Sequence, residues 1–269
     1  MPETILTSET PVAAPSVRAK RLRVLLLCAM AALILVTAVL FVSLSRRERP
    51  VYVYSPNTKI LLYHLVANET YGLNDYLFVK TDAFEAQLQA IEKSGAVSVF
   101  ADELEAAGDK KCVVLTFDDG YESVYTNAFP LLKKYGIKAT VFLISDTIGA
   151  EGYLTRTQIR EMEASGLVRF GSHTKSHRML TELNANAVRQ ELNSSRTELN
   201  LLLRRPVKAV AFPNGAYTEE TLALVTECGY TYAYTTDTPS VPYYKNTQLP
   251  RYYVTREMTL DAFLEILRF

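Results

Sequence analysis

The sequence predicts an α/β protein built as a distorted (β/α) barrel of seven or eight strands, preceded by one transmembrane helix. Three observations point there. Short apolar runs alternate with segments of helical periodicity from residue 59 to the end, the pattern of a parallel sheet covered by helices. About seven or eight such units in roughly 210 residues fit a closed or nearly closed barrel more economically than an open doubly wound sheet, which is the alternative. Ahead of them, the segment from Val24 to Leu44 carries no charge at all over 21 residues.

That segment comes first in order. Twenty-one apolar or small residues at about 1.5 Å each reach roughly 30 Å, the thickness of one hydrocarbon core. A buried helix of a soluble protein shows a polar stripe at that length, and this one has none. A cleaved signal peptide has a shorter apolar region of about 7–15 residues and a small-x-small site. Here the run ends in Ser45-Arg46-Arg47-Glu48-Arg49, which favours an uncleaved anchor. Arg18, Lys20, Arg21 and Arg23 precede it and Arg46, Arg47 and Arg49 follow, so the positive-inside bias leaves residues 1–23 in the cytoplasm. Residues 45–58, with Pro50 and Pro56, read as a linker, and 59–269 as one catalytic-size domain outside the cytoplasm. The first fifty residues hold seven Lys/Arg and three Asp/Glu, so the remainder of this neutral chain carries −4.

Within that domain the strands fall at Lys59–Tyr63, Val97–Phe100, Cys112–Phe117, Ala139–Ile144, Val168–Gly171, Ala209–Phe212 and Thr231–Thr235. Helices are expected over Thr81–Lys93 with Thr81 as N-cap, over Ser123–Tyr135 ending at Gly136, and over Glu182–Leu203, Thr218–Cys228 and Thr259–Leu267. Zero net charge gives no reason to expect nucleic acid as a partner. Three scattered Cys without a CxxC exclude a disulfide framework and a thiolate zinc site. Only His64, His173 and His177 are available for imidazole chemistry.

Three segments place chemistry at the C-terminal ends of predicted strands. Thr116-Phe117-Asp118-Asp119-Gly120 ends the most apolar one. Two adjacent carboxylates at a buried strand end need a cation to neutralise them, or else one of them caps the helix that follows. His173-Thr174-Lys175-Ser176-His177 follows another strand. Histidines at i and i+4 share one face of a helical turn and can chelate one cation; otherwise they are two polar loop residues. Together with one of the aspartates they form a three-ligand set with open positions, suited to zinc or a similar divalent metal. Lys59-Ile60-Leu61-Leu62-Tyr63-His64 brings the third His to the same mouth, as a proton donor or as a hydrogen-bonded strand-end residue.

TFDDG followed by HTxSH resembles the NodB-type polysaccharide deacetylases, carbohydrate esterase family four. The opening Tyr63-His64-Leu65-Val66 is similar to the start of the branch that contains the extracellular poly-N-acetylglucosamine deacetylases. The run from Asp82 to Leu104, the Ala211-Phe212-Pro213-Asn214-Gly215 motif and the Leu249-Pro250-Arg251 ending fit the same family. The resemblance implies Asp119, His173 and His177 as ligands of a divalent metal, usually zinc. It implies Asp118 as the general base and His64 as the proton donor to the leaving amine. The backbone N–H of Asn214 or of the turn at Tyr121 is implied as oxyanion donor, and Arg251 as the group that orients Asp118. Ala211 stands where much of the family carries an Arg, and Asn214 where it carries a Tyr. The implied function is a membrane-anchored, extracytoplasmic, metal-dependent deacetylase acting on an N-acetylated glycan. An O-acetyl esterase on the same scaffold and a non-catalytic carbohydrate-binding relic are the alternatives.

Overall fold

The computed structural model describes residues 26, 29–34, 36–37, 57–70, 72, 74–108, 110–240 and 245–269. It divides into two units, Met1–Val51 and Tyr52–Phe269. In the first, the described residues are helical and expose Leu26, Met30, Leu33, Ile34 and Val36. Most of the predicted span 24–44, the tail 1–23 and nearly all of the linker 45–58 lie outside the described residues. Among those that are described, no helix is long and apolar enough to cross a membrane.

The second unit is a curled parallel sheet. Its strands are β1 (Thr58–Tyr63), β4 (Val97–Ser98), β5 (Cys112–Phe117), β6 (Ala139–Leu143), β7 (Val168–Ser172), β8 (Ala209–Ala211), β9 (Tyr232–Tyr234) and β10 (Tyr252–Tyr253). The order is β10-β1-β5-β6-β7-β8-β9, with β4 also paired to β5, and every pair is parallel. The longest pairing runs from Thr58 opposite Cys112 to Tyr63 opposite Phe117, which sets the ends of β1 and β5 level. Two short strands, β2 (Leu65–Val66) and β3 (Phe78–Val79), form a separate parallel pair just beyond β1.

Residues 246–254 link the two edges. The Leu249 N–H donates to Ala233 and the Thr235 N–H to Leu249, while further on Tyr252 and Tyr253 pair with Leu61 and Leu62. β9 is thereby joined back towards β1. β5 is buried at all six positions, as expected of a strand covered on both faces. Alternate residues divide between two clusters. Ile60, Val114, Phe142 and Tyr234 pack on one side of the sheet. Leu61, Leu115, Val141 and Ala233 pack on the other, against Phe84, Leu88 and Ile91.

The helices are α1 (Thr81–Ser94), α2 (Phe129–Tyr135), α3 (Arg156–Ala164), α4 (Ala185–Leu203), α5 (Glu219–Glu227) and α6 (Leu260–Ile266). Thr81 is the first helical residue of α1 rather than its cap; Lys80 occupies that position, and the Thr81 N–H is satisfied instead by the Asn68 side chain. The predicted helix at 123–135 opens as a π-helical turn over Val124–Ala128 and closes on Gly136 in the left-handed region. α4 starts three residues later than predicted because the Asn184 side chain caps it, accepting from the Ala187 N–H. α3 and β10 have no counterpart in the sequence reading.

Candidate metal centre and active site

β5, β7 and β1 carry the groups that meet at one mouth. Beyond Phe117 the Asp118 N–H donates to the Tyr63 carbonyl, continuing the β1–β5 ladder by one residue. The chain then turns sharply, with Asp119 and Gly120 at φ 70° and 82°. A Cβ on Gly120 would lie 2.6 Å from Leu143 Cδ2, so glycine is required there on two counts. The turn sends the two neighbouring carboxylates to different partners. Neither caps a helix.

Asp118 faces Arg251, which precedes β10. Guanidinium Nη1 and Nη2 donate to Oδ1 and Oδ2, both at 2.7 Å, a two-pronged ion pair. Arg251 is fully buried and spends its other donors on the Thr235 carbonyl and the Thr116 hydroxyl. Burial opposes charge on Asp118, but Arg251 and His173 outweigh it and hold its carboxyl below the usual carboxylate range. The guanidinium absent at position 211 is thus supplied from the opposite end of the domain.

Asp119 meets the two histidines. Its Oδ1 lies 3.4 Å from His173 Nε2 and 3.4 Å from His177 Nε2. One ligand atom from each of the three residues falls within 4.8 Å of the others. The buried Asp119 Oδ1 has no hydrogen-bond partner. His173 Nδ1 is 2.9 Å from the Ala211 carbonyl; a carbonyl only accepts, so Nδ1 carries the proton and Nε2 turns its lone pair inward. A divalent cation fits this set: one carboxylate and two neutral imidazoles, with an orphaned oxygen at the centre.

Burial works against charge on Asp119, yet His173 and the other imidazoles hold its pKa down at about 2. On His173 the carboxylates of Asp118 and Asp119 overcome burial and raise its pKa. His177 is lowered, first by burial and then by His173.

The His pair does not sit on a helical turn. Residues 173–179 are a loop in which Thr174 and His177 both take left-handed backbone angles, φ 67° and 60°. That loop is braced from α4: the Glu191 carboxylate accepts from the N–H groups of Lys175 and Ser176 and from the Ser176 hydroxyl. The rings of His173 and His177 meet edge to face at 4.8 Å.

His64 follows β1. Its Nδ1 lies 3.3 Å from the Tyr253 hydroxyl, and the two rings are 5.4 Å apart. Burial lowers its pKa while Asp118 and Asp119 pull it up, which places it within electrostatic reach of both. The Tyr121 N–H donates to no backbone carbonyl among the described residues, as an oxyanion donor requires. Asn214 occupies an exposed turn beyond β8 with φ 54°. Asp119, Tyr121, Tyr153 and His177 line a cleft of about 340 Å³ over the cluster. Tyr153 escaped the sequence reading; it belongs to no motif, and only the fold brings it here.

The family model described as polysaccharide deacetylase matches residues 105–233. The chain carries a polysaccharide deacetylase domain. The Bacillus subtilis protein YxkH is 34% identical over 184 residues, 66% of this chain and 64% of that protein, so the chain spans less than two thirds of it. A Staphylococcus aureus poly-beta-1,6-N-acetyl-D-glucosamine N-deacetylase is 26% identical over 243 residues, 79% of this chain and 82% of its own. Among solved structures, the Streptococcus pyogenes deacetylase PplD in complex with acetate aligns with TM-score 0.72 at 27% identity, over 78% of this chain and 98% of that one. The deacetylase domain of this chain contains Asp118, Asp119, His173 and His177 within the matched residues. His64 and Arg251 lie outside them.

Proposed function

We propose that this protein removes N-acetyl groups from a cell-surface or matrix glycan, with zinc as its metal. The domain works outside the cytoplasm and is held there by the apolar segment from Val24 to Leu44. The substrate class is poly-N-acetylglucosamine, peptidoglycan or a chitin-like chain. The staphylococcal similarity favours the first. The carrying observation is the unsatisfied Asp119 Oδ1 between two imidazoles, set beside a second carboxylate that an arginine holds ionised.

A divalent cation held by Asp119, His173 and His177 supplies a Lewis acid and lowers the pKa of water when bound. Asp118 takes a proton from the attacking water. Arg251 together with His173 holds its pKa low and Arg251 fixes its orientation, so it is ionised and aimed before substrate arrives. The Tyr121 N–H donates to the oxygen that becomes negative as the amide carbonyl is attacked. His64 passes a proton to the departing amine, with its ring set by Tyr253. Products are acetate and a free amine on the sugar.

The test is acetate release by the full chain in detergent from oligomers of the three glycans and from O-acetylated xylan, alongside metal analysis. Release from an N-acetylated glycan with about one bound zinc supports the reading. Release only from xylan would make it an O-acetyl esterase, and glycan binding without release a relic. Protease accessibility of the domain on intact cells tests the topology.

A further inference from the structure

A second cavity, of about 460 Å³, opens beside the metal centre, and the chemistry above makes no use of it. Tyr121 and Tyr153 line it and also line the cleft that holds Asp119 and His177, so the two spaces share one aromatic wall. The rings stack at 5.1 Å and 20°. The wall is tied to the metal-binding turn by its backbone: the Leu154 N–H donates to Gly120 and the Glu122 N–H to Gly152. The distance from cavity to metal ligands is therefore set by the fold rather than by mobile side chains.

The cavity's polar groups are mostly acceptors. Glu122 engages Gln158 through Oε1 alone. An Asn127 side-chain N–H donates to the Val66 carbonyl, which turns the nitrogen to the backbone and leaves the side-chain oxygen to accept. The Ser123 hydroxyl is buried without a hydrogen-bond partner. Glu151 is exposed at the rim, and among the described residues no Lys or Arg lines the space. Two carboxylates, spare acceptors and an aromatic wall suit a sugar that carries donors and a positive charge. An N-acetylated residue is neutral. The same residue after loss of acetyl carries an ammonium.

We propose that this cavity binds a hexosamine unit already freed of its acetyl group, next along the same chain to the acetylated unit at the metal centre. The inference rests on the deacetylase reading and extends it to the pattern of the product. A free amine in the cavity recruits the neighbouring acetylated residue, so amines accumulate in blocks rather than at random.

The experiment compares two N-acetylglucosamine hexamers, one fully acetylated and one with a single internal glucosamine, using zinc-loaded full-length protein. Wild type should show a kcat/KM higher by roughly three- to tenfold for the second, an advantage that shrinks in 0.5 M salt. Mass-spectrometric sequencing should place new amines beside the existing one. The Glu122→Gln/Glu151→Gln double variant should lose the preference. Because Glu122 also holds Gln158, the exposed Glu151→Gln alone serves as the fold-safe variant and should lower the ratio by itself. Equal rates on the two hexamers in wild type, or a preference intact in the double variant, overturns the proposal. Absence of acetate from both hexamers instead overturns the deacetylase reading, and this inference falls with it.

Discussion

Adjacent carboxylates at the end of β5 have separate partners because the chain turns left-handed at Asp119. Asp118 points at Arg251 and Asp119 at the histidines. Asp118→Asn keeps the shape but removes the proton acceptor, so acetate release should drop by at least about a hundredfold with the fold intact. His173→Ala should abolish zinc binding and release together, as equilibrium dialysis would show. Arg251→Ala leaves a buried, unpaired carboxylate and should cost about 3–5 kcal/mol in denaturant unfolding. A variant as stable as wild type would refute that pairing. The buried Cys112 thiol offers a pH-dependent readout. Burial pushes its pKa up to about 12, whereas an unfolded thiol ionises near 8.5. The folded pKa is the higher one, so its contribution to stability is complete below about 8.5 and is lost as pH rises towards 12. Cys112 should resist a thiol reagent at pH 8 in the native protein and react at once in denaturant.

At the scale of elements, the loop after β7 decides whether the imidazoles converge. Glu191 on α4 satisfies three donors of that loop. Glu191→Ala should weaken zinc affinity by about 10–100-fold in a chelator competition, with no change of ligand residues. Unchanged affinity would show that the loop holds itself. Gly120→Ala should destabilise by about 1–3 kcal/mol from backbone strain alone, before the contact with Leu143 is added. Much of this site was legible in the sequence. The Asp-Asp-Gly turn, the His pair and His64 each stand at the end of an apolar strand that is easily read. The spacing of His173 and His177 misled on conformation, since i and i+4 also meet across a loop when two residues take positive φ. α3 was missed although Thr155 and Gln158 form a reciprocal capping box, a signal visible in the sequence. β10 was hidden for a different reason: two residues, Tyr252 and Tyr253, are too few to show any period, and only their register with β1 makes them a strand.

For the whole molecule, a bound cation couples the site to global stability. Zinc at a hundred times its dissociation constant should add about 2.7 kcal/mol, and a chelator should reverse the gain. For a domain of this size that is a rise of roughly 5–10 °C in melting temperature. A melting curve indifferent to zinc and chelator would rule out a native site. The sheet itself is a chain of parallel pairings whose two ends are joined, among the described residues, by 246–254.

Arg251 lies in that joining segment, so the residue that pairs with Asp118 stands later in the chain than Asp119, His173 and His177. A chain cut between His177 and Arg251 would keep Asp119, His173 and His177 while lacking the partner that holds Asp118 in place. Joining the two sheet edges and orienting Asp118 are therefore one event in this fold: whatever opens that segment also releases the carboxylate from its guanidinium.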